Sequence, residues 1–72
     1  MKIEELGKII QRRRKVLGLT IRELASLTGT SKTTISQTER GIRNPTFELL
    51  QNIFEYLNLE MKVEVKSVNN KI

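Results

Sequence analysis

Residues Thr20 to Gly41 read T-I-R-E-L-A-S-L-T-G-T-S-K-T-T-I-S-Q-T-E-R-G. Thr20 and Glu23 have the spacing of a capping box, in which the hydroxyl takes the third amide and the carboxylate takes the cap's own amide. A helix therefore opens at Thr20, with Leu24 and Leu27 as its main apolar residues and Ala25 as a small one. Gly29 follows where the chain must adopt a positive φ to turn sharply. Ser31 is placed to cap the next helix, whose first turn is Lys32-Thr33-Thr34. Ile35 is the core anchor of that helix and Gly41 ends it. Two helices joined by so short a turn cross at roughly 90–120°. A large side chain at their closest approach would hold them apart, which suits Ala25, and Ile35 can then reach back towards Leu24.

The flanks read as support for this pair. Upstream, Ile3, Leu6, Ile10 and Leu17 fall on one helical stripe, with Ile9 and Val16 beside it. Glu4 and Glu5 open that helix, Arg12 to Lys15 lie near its end, and Gly18 closes it, the order the helix dipole favours. Within the basic run, Arg12 and Lys15 face the polar side. Arg13 falls within the apolar stripe and Arg14 at its edge, where a charge needs a carboxylate; Glu39 is a candidate. Downstream, Pro45 biases Asn44 away from helix, and Thr46 can cap a last helix carrying Phe47, Leu50, Ile53, Phe54 and Leu57, with Leu49 beside them. After Asn58 the apolar period changes to two: Leu59, Met61, Val63 and Val65 alternate with Glu60, Lys62, Glu64 and Lys66, the pattern of a half-buried strand.

Composition narrows the function. The chain has 72 residues and a net charge of +5, with no cysteine and no histidine. One small core is expected, exposed enough to need efficient helix packing or oligomerisation. Positive charge on so small a domain favours a polyanionic partner. No disulfide, metal site or cofactor is expected. Without His, Cys, a glycine-rich phosphate loop or an evident carboxylate pair, neither is an enzyme. No apolar run is long enough to span a membrane, and the acidic N-terminus is unlike a signal peptide. Lack of cysteine fits a reducing cytoplasm, with the protein on the nucleoid. Lys32, Thr33, Ser36, Gln37 and Arg40 form an exposed polar face on the helix after Ser31. Such groups can reach base edges or phosphates, and Thr and Ser are otherwise poor helix formers.

These residues together, R-R-K-V-L-G-L-T-x-x-E-L-A-x-x-x-G-x-S-x-x-T-I-S-x-x-E-R-G-x-x-x-P over 13–45, resemble the lambda repressor/Cro-type helix-turn-helix, or XRE, family. The resemblance covers about residues 6 to 57. It implies an all-α, four- to five-helix repressor-like bundle over 1–58 whose third helix enters the major groove of double-stranded DNA. It also implies base contacts from Lys32, Thr33 and Gln37, phosphate contacts near Ser31, Ser36, Arg40 and Arg43, and a structural ion pair of Arg14 with Glu39. Two departures stand out. The family usually places Gln after the residue that opens helix two, where it contacts a phosphate and braces a base-reading side chain. Here that position is Ile21, so the clamp is lost or replaced, with Arg22 as the candidate phosphate contact. Thr30 and Thr38 stand where apolar residues are common, which should loosen the core slightly.

The ending L-N-L-E-M-K-V-E-V-K resembles, over a shorter length, HipB-type antitoxins, in which C-terminal strands pair across a dimer axis. If two copies run antiparallel with Val63 facing Val63, Lys62 opposes Glu64, Glu60 opposes Lys66 and Met61 meets Val65. Every charged pair is attractive, each contributing roughly 0.2–1 kcal/mol. The expectation is a dimerisation strand over 59–67, carried by Met61, Lys62, Val63, Glu64 and Val65, followed by a flexible tail at 68–72. The leading function is a homodimeric repressor on a palindromic operator. Its narrower form is the antitoxin of a HipA-like kinase toxin, autoregulating its operon. The alternatives are a phage-type or metabolic regulator without a toxin, or a protein-interaction module.

Overall fold

The chain forms α1 (Ile3–Val16), α2 (Ile21–Thr28), α3 (Lys32–Glu39) and α4 (Phe47–Leu57) in the computed structural model, which describes residues 1–65. The starts are set by side-chain caps. Thr20, Ser31 and Thr46 accept hydrogen bonds from the amides of Glu23, Thr34 and Leu49 at 3.0, 3.0 and 3.1 Å. Glu23 completes its box by accepting from the Thr20 amide at 2.8 Å. At the head of α1, Glu5 accepts from the Lys2 amide at 2.8 Å. All four helices end alike, on a left-handed residue: Gly18, Gly29, Gly41 and Asn58. The amide beyond each returns to a carbonyl in the last turn, from Leu19 to Arg14, Thr30 to Ala25, Ile42 to Gln37 and Leu59 to Phe54.

The core is Ile10 of α1, Leu24 and Ala25 of α2, Ile35 of α3, and Ile53 and Leu57 of α4. Leu6, Leu19, Ile21, Leu49, Leu50, Phe54 and Leu59 pack around it. α3 lies against α1 and α2, and α4 closes the other side against the same two helices. One close approach decides how deep α3 sits. Gly7 is buried, and a Cβ there would meet the Glu39 carbonyl oxygen and lie 2.6 Å from that of Thr38. Only glycine lets the backbone of α1 touch the end of α3. Just along α1, Arg13 Nε donates to the Leu57 carbonyl of α4 at 2.8 Å, satisfying one of the carbonyls a helix end leaves open.

Several expectations need correction. The inner stripe of α1 runs through Leu6, Gly7, Ile10 and Arg14; Leu17 lies past the last turn and is 42% exposed, and Val16 faces solvent. In α2 the inner face is Leu24, Ala25 and Thr28, so Leu27 points outward, 44% exposed. Thr28 and Thr38 are buried without an orphaned hydroxyl, because each donates to the carbonyl four residues back at 2.7 Å. Phe47, at the first position of α4, is 63% exposed.

The largest correction concerns residues 59–65. Among the described residues the bundle has four helices, with neither a fifth helix nor the expected β-strand. Leu59 still packs on the core, but Met61, Lys62, Val63, Glu64 and Val65 form an exposed arm in no ladder, with Val63 and Val65 93% and 96% exposed. The physical reason is that a strand exists through its partner's hydrogen bonds, and the described chain offers no partner. Lys66, expected to oppose Glu60, and the tail expected at 68–72 lie outside the described residues.

Candidate nucleic-acid interface

α3 has two unlike faces. Ile35, Thr38 and Glu39 are buried. Lys32, Thr33, Ser36, Gln37 and Arg40 recur at i, i+1, i+4, i+5 and i+8 and share the opposite side, with Lys32, Thr33 and Arg40 exposed and Ser36 and Gln37 half-buried. The α3 segment holds a single acid, Glu39, and it is turned inward. There it accepts from Arg14 Nε at 2.6 Å and Arg14 Nη2 at 3.1 Å. Arg14 Nη1 donates to the Leu19 carbonyl at 2.7 Å. This two-point pair is buried on both sides and neutralises the one acidic side chain that α3 carries. The outer side of α3 is left with cationic and neutral polar groups alone.

The other expected contact residues divide. Ser31 is engaged as the cap of α3, and its hydroxyl also lies 2.9 Å from that of Thr34. Arg22 is exposed in the first turn of α2. Its neighbour Ile21 packs on the core cluster, so the residue that departs from the family pattern serves packing. Arg43 is exposed in the loop between α3 and α4. It does not stand apart from the residues expected to read bases: its Nη1 donates to Gln37 Oε1 at 2.9 Å. Sequence reasoning placed Arg43 and Gln37 in separate roles and missed this contact. It also missed Gly7, although a glycine inside an otherwise regular helix costs about 1 kcal/mol against alanine and so signals a close approach.

Among the described residues no group of His, Cys, Asp or Glu side chains could hold a metal ion. No helix there is long and apolar enough to cross a membrane.

Comparison with known proteins agrees with this geometry. The helix-turn-helix family model matches residues 10–63. The chain belongs to the XRE-type helix-turn-helix family. An uncharacterized HTH-type transcriptional regulator of Mycobacterium tuberculosis, MT0491, is 33% identical over 57 residues, 79% of this chain and 41% of that protein. The chain thus spans about two fifths of the length of the curated relatives it matches. Among solved structures, the restriction-modification controller protein C.AhdI of Aeromonas hydrophila superimposes with a TM-score of 0.77 at 26% identity, covering 81% of this helix-turn-helix chain and 88% of that one. The biofilm master regulator SinR, solved in complex with DNA, gives 0.70 at 31% identity, covering 75% and 87%.

Proposed function

We propose that this chain is a sequence-specific DNA-binding transcriptional regulator that lays the outer face of α3 in the major groove. The observation that carries the reading is the sorting of α3: its acid is buried in a two-point pair, and its outer side presents Lys32, Thr33, Ser36, Gln37 and Arg40. Lys32, Thr33 and Gln37 read base edges; Ser36, Arg40 and Arg43, with Arg22 and Ser31 at helix starts, hold phosphates. That the similar protein SinR was solved in complex with DNA supports DNA binding as the function. The test is selection of duplexes from a random pool, followed by titration at several salt concentrations. Binding should fall steeply with salt and keep a preference for one site. Gln37→Ala or Lys32→Ala should erode that preference. Equal affinity of the unmodified protein for all duplexes would refute the reading.

The regulator acts as a homodimer. Phe47, Phe54, Leu59, Met61 and Val63, together with Gln51, Glu55 and Glu60, line a largely apolar cleft along α4 and the arm. A neighbouring groove of about 540 Å³ is lined by Ile3, Leu6, Leu50, Phe54, Leu59 and Met61, among others. An apolar surface continuous with an unpaired arm supports pairing of two arms about Val63. Two copies so joined would offer their α3 helices to palindromic half-sites about one DNA turn apart. The narrower reading, an antitoxin of a HipA-like kinase, rests on the arm's sequence alone. Co-purification of such a kinase from the native host tests it.

A further inference from the structure

We propose that Arg43 is a positioning residue for base reading: it holds the Gln37 carboxamide in its reading orientation and supplies the brace that Ile21 cannot. The inference rests on the DNA-binding reading above. Three observations carry it. Arg43 Nη1 donates to Gln37 Oε1 at 2.9 Å across the end of α3. Ile21 packs on the core cluster and carries no polar group to offer Gln37. Arg22, the other candidate to replace the brace, makes no side-chain hydrogen bond among the described residues, and sits at the start of α2.

The chemistry fixes the orientation. A guanidinium only donates, so the atom of Gln37 that faces Arg43 must be the carbonyl oxygen. That oxygen has a second lone pair, and the amide nitrogen keeps both hydrogens. The carboxamide can therefore still accept from an adenine N6 amino group and donate to N7, the two-point pairing that distinguishes adenine from the other bases. A free glutamine side chain would lose rotamer freedom on making that pair. Arg43 removes much of that cost before DNA arrives, and it does so from the α3–α4 loop. Guanidinium has five N–H groups, so one spent on Gln37 leaves others for a phosphate. Arg43 thereby couples backbone contact to base choice.

The experiment uses the full chain and a duplex selected from a random pool by the unmodified protein. Gln37→Ala, Arg43→Ala and the double variant are each titrated against duplexes altered at one base pair at a time. Both altered side chains lie outside the core, and thermal melts verify that all variants fold. Gln37→Ala identifies the base pair it reads. At that base pair Arg43→Ala should lower discrimination by roughly fivefold or more, the scale of a single base contact, beyond any uniform loss at other positions. The double variant should discriminate there no worse than Gln37→Ala alone. A uniform loss for Arg43→Ala, equal at every base pair and fully additive with Gln37→Ala, would mean a phosphate contact only and overturn the proposal. If Gln37→Ala alters discrimination at no base pair, the base-reading role of Gln37 fails first, and the brace with it.

Discussion

Gly7 and Glu39 meet where α1 crosses the end of α3, and both are held by what surrounds them. Gly7→Ala would drive a methyl group into two backbone carbonyls, which unlike a flexible side chain cannot move aside. A loss of roughly 1–3 kcal/mol is expected, read as a lower urea midpoint at unchanged slope. The Arg14–Glu39 pair makes a sharper prediction. Glu39→Leu leaves a guanidinium buried without its carboxylate and should cost roughly 3–5 kcal/mol. That is a large part of the roughly 4–10 kcal/mol expected for a domain this size. Adding Arg14→Met should return most of the loss, since both charges are then gone; equilibrium denaturation of the three proteins measures it. This pair was legible in the sequence, because a charge at the edge of an apolar stripe demands a partner and Glu39 was available. Gly7 was not read, because its reason is the backbone of another helix, 31 residues or so downstream by the Thr38–Glu39 contact.

At the scale of elements, the helix-turn-helix was legible because its signals are local. Thr20, Glu23, Ser31 and Gly29 each act within a few residues of themselves, and each does so in the structure. Gly29 isolates the cost of conformation from that of packing. A Cβ there would meet nothing within 4 Å, yet φ is 71°. Gly29→Ala should therefore cost about 1–2 kcal/mol through backbone strain alone, with the α2–α3 angle kept and DNA affinity little changed once the protein is folded. Melting temperature and a titration on the selected duplex check the two halves of that statement. The arm shows the opposite case. Its period-two pattern was clear, but the pattern specifies only a face, and the ladder that makes a strand needs a second segment. Leu27 and Phe47 were misread for a related reason: in short helices one residue more or less of phase decides which side an apolar group takes.

For the molecule as a whole, the exposed arm is where the proposed dimer is tested. Val63→Asp places like charges opposite each other at the centre of the proposed pairing. It should shift the protein to a monomer in light scattering at micromolar concentration and abolish cooperative binding to paired half-sites, while the helical content stays the same. A native protein that is monomeric at that concentration would remove the pairing. The division of α3 has a consequence for how such proteins diverge. Ile35, Thr38 and Glu39 hold the helix, and none of them is on its outer side. If the outer side reads DNA as proposed, changes at the exposed Lys32 and Thr33 would alter the target sequence while leaving the buried contacts of α3 in place, so a lineage could drift to a new target with little loss of fold along the way. Inheritance of the scaffold and inheritance of the address are separable on one eight-residue helix.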